Sequence, residues 1–76
     1  MDIDSFIGKF ADQFDEIPAS LTPETRVRDI AGWCSIVALS VIAMADEEYG
    51  VTLTGDDIRK AQTVKDVFDA VVARKG

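Results

Sequence analysis

The run from Ile36 to Ala45 contains no charged side chain, and it lies in the middle of a chain of only 76 residues. A chain of this length has room for one hydrophobic core, so we expect a single domain over residues 1–76. If the run is helical through to residue 49, apolar side chains cover most of its circumference. A helix of that kind is typically central and packed on several sides. The sequence therefore predicts a central helix at 36–49.

Both ends of this helix carry recognisable signals. Ser35 has a side chain suited to the N-cap, and Gly50 suits the left-handed position that follows the last turn. The uncharged run is about half as long as a bilayer crossing requires, so no membrane insertion is expected. The core stripe predicted for this helix consists of Ile36, Leu39, Ile42, Ala43 and Tyr49, widened by Val37, Val41 and Met44.

A first helix is predicted before the central one. Apolar residues recur at spacings of three and four from Ile3 to Ile17, which is typical of one buried helical stripe. Asp2 or Asp4 can cap its start, and Pro18 ends it.

Two more helices are predicted after the central one. Thr54 followed by Asp57 marks the start of a short third helix, which runs to about Ala61. The same signal in Thr63 and Asp66 starts a fourth helix. The side chains that these two helices are expected to bury are Ile58, Val64, Val67, Phe68, Val71 and Val72.

Residues 18–34 contain both prolines of the chain and no sustained period, so they predict a long ordered loop with a short helical turn after Pro23. The expected anchors of this loop in the core are Leu21, Val27, Ile30 and Trp33. The predicted fold is therefore all-α, a four-helix bundle with three longer helices, one short third helix and a long loop between helices 1 and 2.

The net charge of −6 comes from fourteen carboxylates against eight lysines and arginines. Nucleic-acid binding needs a concentrated basic face, and anionic membranes also attract basic proteins, so neither is expected. An acidic chain suits protein partners that carry basic patches. The single cysteine excludes an internal disulfide, and with the absence of a signal-peptide pattern it favours a cytoplasmic location. We expect the protein to be a monomer.

Catalytic side chains are scarce in this sequence. The chain has no histidine, so the commonest general base is missing, and no serine–histidine or cysteine–histidine pair can form. No glycine-rich phosphate loop is present. The stretch 46–50 has contiguous acids and a misplaced glycine, so it does not match a calcium loop. We therefore expect neither a metal site nor enzymatic activity.

Ser35 and its neighbour Cys34 are the remaining candidates for chemistry. A serine at a helix start commonly has only a structural role. The same position favours a bound phosphate, because backbone N–H groups and the helix dipole attract anions. Cys34 is interpreted as a small packed residue, and a reactive thiol in a redox or acyl-transfer protein is the alternative.

Most of the chain resembles the second half of an acyl carrier protein, over the segment DIAGWCSIVALSVIAMADEEYGVTLTGDDIRKAQTVKDVFDAV. Many discrete members of that family write the approach to the second helix as GWDSL, where this chain has GWCSI. The acidic helix end and glycine in DEEYGVTLTGDDI are also similar, as is the helix start in TVKDVFDAV. The order of elements matches over essentially the whole chain.

The resemblance implies that Ser35 carries 4′-phosphopantetheine, which a phosphopantetheinyl transferase attaches from coenzyme A. The arm then holds an acyl group as a thioester for fatty-acid, polyketide or related lipid biosynthesis, and the protein itself catalyses nothing. Cys34 stands where the family usually has an aspartate that transferases recognise. The alternatives are a peptidyl carrier, or an unmodified acidic interaction module on the same fold.

The resemblance also implies which residues meet partners and cargo. Family members dock to basic patches on acyl-loading and acyl-transfer enzymes through acids of the second helix, here Asp46 and Glu47 with Glu48 beside them. The first ten residues after Ser35 carry no acid, so we expect more apolar contact there, through Val37 or Val41. The candidate walls of an acyl pocket are Met44, Ile58 and Phe68.

Overall fold

The structure is a computed structural model that describes residues 2–75, and these residues form four α-helices with no strand. The helices are α1 (Ile3–Ala11), α2 (Ser35–Tyr49), α3 (Gly55–Lys60) and α4 (Val64–Lys75). A 3₁₀ turn at Val27–Asp29 lies within the long connection between α1 and α2. The predicted all-α fold, with its short third helix and long first loop, is confirmed.

Helix α1 ends at Ala11, so the prediction that it continues to Ile17 is wrong. Beyond Ala11 the chain forms a tighter turn, in which the N–H of Gln13 donates to the carbonyl of Phe10 (3.1 Å). Phe14 remains buried through this turn, whereas Ile17 is exposed. A tight turn keeps Phe14 on the same side as a continuing helix would, and the apolar spacing therefore does not distinguish the two.

Two predicted end signals act as expected. The Asp2 carboxylate accepts from the Asp4 N–H at 3.3 Å and caps α1. Gly50 adopts the left-handed conformation (φ 65°, ψ 30°), and its N–H donates to the Asp46 carbonyl at 3.0 Å. A side chain at this φ is strained, so the chain has glycine at the one position where α2 must end sharply.

Aromatic side chains fill the core where α1 meets α2 and α4. Phe6 is fully buried, and its ring centroid lies 6.0 Å from Phe10, 6.1 Å from Tyr49 and 5.4 Å from Phe68. Aromatic rings bury large apolar areas, and in a chain this short they contribute much of the stability of the core.

The long loop is attached to the junction between α3 and α4. The N–H of Val27 donates to the Gln62 carbonyl at 3.0 Å. Close by, the N–H of Val64 donates to the Thr25 carbonyl at 3.0 Å. The predicted loop anchors are confirmed, with Val27 and Ile30 buried and Leu21 and Trp33 packed against the core. The chain is therefore held in place as it approaches α2.

Helix α2 is central, as predicted, but its most buried side is the one that was predicted only to widen the core stripe. Its buried side chains are Val37, Val41, Met44 and Ala45. In contrast, Ile36 and Leu39 are 75% and 65% exposed, and Ala43 is exposed as well. Val72 of α4 is another predicted core residue that is exposed. Since α2 is apolar nearly all round, spacing alone does not indicate which side meets the other helices.

Helices α3 and α4 begin as predicted, each with a threonine and an aspartate in a reciprocal pair. The Thr54 hydroxyl accepts from the Asp57 N–H (3.2 Å), and the Asp57 carboxylate accepts from the Thr54 N–H (2.8 Å). Thr63 and Asp66 form the same two bonds at 3.2 and 3.1 Å. Hydrogen bonds from the Arg74 guanidinium and the Thr54 backbone lower the pKa of Asp57. Two backbone N–H groups lower the pKa of Asp66.

Candidate functional site

The start of α2 differs by one residue from the prediction. Cys34 is the N-cap, with an extended backbone (φ −159°, ψ 177°) and a carbonyl that accepts from the Ala38 N–H at 2.9 Å. Ser35 is the first residue of the helix, so the prediction that it is the N-cap is wrong. An N-cap is defined by its backbone conformation, and the residue that adopts it here has a thiol, which accepts hydrogen bonds weakly.

The first turn of α2 is free of side-chain caps and of acids. The Cys34 thiol makes no capping hydrogen bond, and no residue of the first turn is acidic. Ser35 is exposed at this turn. Unpaired backbone N–H groups at a helix start attract anions, so a phosphate on the Ser35 hydroxyl would be stabilised there.

The residues just before Ser35 are held against α1. The Trp33 indole stacks on Phe10, with ring centroids 6.1 Å apart and 15° between the ring planes. Gly32 adopts a positive φ of 90° and faces the Phe14 ring. The loop therefore presents the Ser35 hydroxyl in a defined place at the surface.

A groove of about 560 Å³ begins at Ser35 and lies between α2 and α3, and we call it the α2–α3 groove. This volume falls within the range of small-molecule sites. The apolar residues that line the groove are Trp33, Ala38, Leu39, Ile42 and Ile58. The other lining residues are Arg28, Cys34, Ser35, Gly55 and Arg59. The groove combines an apolar surface with a hydroxyl at its mouth.

A second groove, of about 620 Å³, adjoins the first turns of α2 from the side of the α1–α2 loop. Residues 13–19 form one wall, and Ile36 lies on the opposite wall. The acidic residues Asp15 and Glu16 also line it. Cys34 is an exposed free thiol that lines both grooves, so its interpretation as a packed residue is wrong.

The three predicted pocket walls lie in different surroundings. Ile58 lines the α2–α3 groove. Met44 is buried in the core, and Phe68 packs against Phe6. Neither of these two side chains lines either groove beside Ser35. Their contact with an acyl chain stays a prediction.

The two apolar residues that were predicted to contact partners are not at the surface. Val37 and Val41 are only 7% and 0% exposed, so they are core residues, and the prediction that they contact partners is wrong. The exposed apolar residues of α2 are Ile36 and Leu39, which spacing had assigned to the core. Residues 36 and 39 lie on the side of the helix opposite to 37 and 41, because each residue advances the helix by about 100°. The sequence indicated that α2 is apolar, but it did not indicate which side of the helix is buried.

The predicted acidic docking residues are exposed near the end of α2. With a rise of about 1.5 Å per residue, Asp46 and Glu47 lie roughly 17 Å along the axis from Ser35. They share a side of the helix with Ile36 and Leu39, and we call these four residues, together with Ala43, the outer face of α2. Glu48 is exposed too, but it lies about 100° round the helix from Glu47 and outside this face. The outer face is thus apolar near Ser35 and acidic at its far end.

The described part of the chain offers little other chemistry. Among residues 2–75, no group of three histidine, cysteine, aspartate or glutamate side chains is placed to hold a metal ion. The helices in that range are too short or too polar to cross a membrane. The site therefore consists of an exposed hydroxyl at a helix start, an apolar groove and a flanking helix face.

One solved structure has a similar fold and length. It is the solution NMR structure of holo acyl carrier protein from Geobacter metallireducens, with a TM-score of 0.77 and 26% sequence identity. The similarity covers 95% of this chain and 83% of that chain. No protein-family model matches the sequence.

Proposed function

Since the chain belongs to the acyl carrier protein family, we propose that Ser35 carries 4′-phosphopantetheine and that the arm holds acyl groups as thioesters. The observation that carries the proposal is the position of Ser35, which is exposed at the first residue of α2 and at the mouth of the α2–α3 groove. The uncapped N–H groups of the first turn favour the phosphate of the arm. The similar protein from Geobacter metallireducens is described as a holo carrier, which also supports the proposal.

The α2–α3 groove is the proposed shelter for the acyl group. Its lining includes Leu39, Ile42 and Ile58, and an apolar chain that enters it leaves water, which is favourable by about 0.8 kcal/mol per methylene group. The chain itself performs no bond chemistry in this proposal. It supplies the hydroxyl that is modified and the surface that protects and presents the cargo.

The proposed partners are a phosphopantetheinyl transferase and the acyl-loading and acyl-transfer enzymes of fatty-acid, polyketide or related lipid biosynthesis. Such a partner has an apolar patch that meets Ile36 and Leu39 close to Ser35. Basic side chains farther out meet Asp46 and Glu47, because opposite charges steer and orient an encounter. A cytoplasmic location and a monomeric state stay predictions.

Loading of the arm tests the modification directly. The apo protein is incubated with coenzyme A and a broad-specificity phosphopantetheinyl transferase, and its intact mass is measured. We expect a mass increment of one 4′-phosphopantetheine. The increment should disappear in Ser35→Ala and persist in Ser40→Ala, which alters a serine farther along the same helix. Absence of the increment from the unaltered protein, or its persistence in Ser35→Ala, contradicts the proposal.

Docking is tested with substitutions on the outer face of α2. We expect Ile36→Ser combined with Leu39→Ser to lower kcat/KM for loading by about tenfold or more, since each change removes an apolar contact worth roughly 1 to 2 kcal/mol. Neutralising Asp46 and Glu47 should cost about threefold, because exposed ion pairs contribute little. Val72→Ser, an exposed apolar residue of α4, serves as the control and should leave the rate unchanged. Equal losses from all three variants would count against this surface.

One observation favours a second candidate function. Cys34 stands at the N-cap, where carriers of this family usually have an aspartate that transferases recognise. The chain would then be an unmodified interaction module that uses the outer face of α2. Protein purified from its native host distinguishes the two, because the module has the bare mass of the chain and a stoichiometric protein partner.

A further inference from the structure

Both charged residues that line the α2–α3 groove are arginines. They are Arg28, from the α1–α2 loop, and Arg59, from α3. This is unexpected in a chain with a net charge of −6, in which carboxylates outnumber basic residues. The groove is therefore a locally positive site on an acidic protein.

Arg28 is fixed in position by backbone acceptors. Its guanidinium donates to the Ala61 carbonyl at 3.1 Å and to the Arg59 carbonyl at 2.7 Å. These carbonyls belong to the end of α3, where helical acceptors lack partners within the helix. A guanidinium has five N–H donors, so two bonds to carbonyls leave others available. The charge is thus held at the groove wall with little further loss of side-chain entropy on binding an anion.

The positive charge of Arg28 is not neutralised by a neighbour. Within residues 2–75, no ion pair joins Arg28 to a carboxylate. Arg59 differs, because its guanidinium pairs with Asp56 at the surface. Arg28 is therefore the principal uncompensated charge of the groove, and it lies beside an apolar surface that includes Ile58 and Ile42.

We propose that the α2–α3 groove selects acyl groups that end in a carboxylate, with the apolar stem against Ile42 and Ile58 and the carboxylate on Arg28. This inference rests on the proposed function, since the acyl group reaches the groove on the arm at Ser35. The ligand chemistry follows from the lining, because an apolar wall with one fixed guanidinium matches an acid with an apolar stem. An uncharged acyl group of the same length fills the apolar wall but leaves Arg28 without an anion.

The arm itself carries another anion, its phosphate, and different elements of the fold face the two anions. The phosphate is bonded to the Ser35 oxygen at the start of α2, where uncapped N–H groups attract it. Arg28 is hydrogen-bonded to carbonyls at the end of α3, which is a different element from the helix that holds Ser35. The carboxylate at the far end of the cargo is the anion that this position suits.

The experiment compares two cargoes that differ only in charge. The apo protein is loaded from adipyl-coenzyme A, with a ¹³C label in the free carboxyl group, and in parallel from the uncharged monoamide. Intact mass shows that each arm has been added, and its absence in Ser35→Ala shows that the arm is attached at Ser35. The pKa of the labelled carboxyl is then measured by ¹³C NMR, on the protein and on adipyl-coenzyme A free in solution.

We expect the carboxyl pKa on the protein to be at least about 0.5 lower than in free adipyl-coenzyme A, because an adjacent guanidinium favours the ionised form. On Arg28→Gln the pKa should return to the free value or rise above it, since the remaining net charge is negative. The amide resonances of residues 58–61 should shift with the adipyl cargo and not with the monoamide. Arg26→Gln, an exposed arginine of the same loop that does not line the groove, is the charge-matched control and should keep the low pKa.

Four outcomes overturn the inference. A pKa on the unaltered protein at or above the free value does so alone, even if Arg28→Gln fails to fold. An equal rise in Arg26→Gln and Arg28→Gln assigns the effect to net charge. A ³¹P shift of the unloaded arm in Arg28→Gln, with the carboxyl pKa unchanged, assigns Arg28 to the phosphate. Failure of both cargoes to add mass at Ser35 removes the proposed function and this inference together, whereas loading with an unshifted pKa removes the inference only.

Discussion

The starts of α3 and α4 differ from the start of α2 in how their free N–H groups are used. At α3 and α4 a threonine and an aspartate bind the first N–H groups through their own side chains. At α2 the cap is Cys34, which makes no side-chain hydrogen bond, and the first turn has no acid. The chain therefore uses side-chain caps where a helix has only to be stable, and leaves them out beside Ser35.

This difference separates the two helix starts that hold the fold together from the one beside the proposed modification site. The capped starts of α3 and α4 hold the junction to which the long loop is attached, through bonds such as that from the Val27 N–H to the Gln62 carbonyl (3.0 Å). The uncapped start of α2 is less stable by itself, but its N–H groups remain available to an anion. Three substitutions test the comparison.

The largest change in stability is expected from a substitution at the start of α3. Thr54→Ala removes the hydroxyl that caps the Asp57 N–H and should lower the free energy of unfolding by about 1 to 2 kcal/mol. For a domain of this size the midpoint of thermal unfolding then falls by roughly 5 to 10 °C, which circular dichroism measures. Thr52→Ala, an exposed threonine just before α3, should change it little. If the two variants are equally stable, the cap does not stabilise α3.

At α2 we expect an increase in stability of intermediate size. Cys34→Asp places a good hydrogen-bond acceptor at an N-cap that lacks one, so it should stabilise the apo protein by about 1 kcal/mol. Cys34→Ala is the control and should be close to neutral. This increase in stability should be smaller once the proposed phosphopantetheine is attached, since the introduced carboxylate would compete with the phosphate for the same N–H groups. An undiminished gain in the modified protein would place the phosphate elsewhere.

The smallest effect concerns pH. The pKa values of Asp57 and Asp66 are lowered in the fold, so both carboxylates stabilise the protein above their unfolded pKa of about 3.9. This stabilisation is lost as the pH falls through the folded pKa values, and the unfolding midpoint should decline from about pH 5 downward. Asp57→Asn should flatten the decline, whereas Asp12→Asn, outside both capping pairs, should not. The effect is modest because Asp66 is exposed and Asp57 is partly exposed, so that solvent screens both carboxylates.

The sequence was sufficient to predict the elements whose signals are local. The pairs Thr54–Asp57 and Thr63–Asp66 specify two helix starts through short-range hydrogen bonds, and Gly50 specifies an end through its φ. The end of α1 was not predictable in this way. Phe14 satisfies the apolar spacing whether the chain stays helical or tightens after Ala11, and the packing of Phe14 beneath Gly32 involves a distant part of the loop.

The sequence was sufficient to predict where along the chain the candidate site lies, but not which side chains surround it at the surface. The motif around Ser35 locates the residue, although the backbone places Cys34 rather than Ser35 at the N-cap. The exposure of Ile36 and Leu39 was not predictable, because α2 is apolar nearly all round and its orientation depends on contacts with α1, α3 and α4. Arg28 was missed for a related reason, since only the folded loop brings it to the end of α3.

The packing of Trp33 also makes the site observable by fluorescence. It is the sole tryptophan of the chain, it stacks on Phe10, and it lines the α2–α3 groove. Indole emission is sensitive to the water and the groups around the ring, so attachment of the proposed arm and entry of its proposed cargo should each alter the wavelength or intensity of the emission. The unlabelled protein thus contains an optical reporter beside Ser35, suited to following loading and delivery in real time.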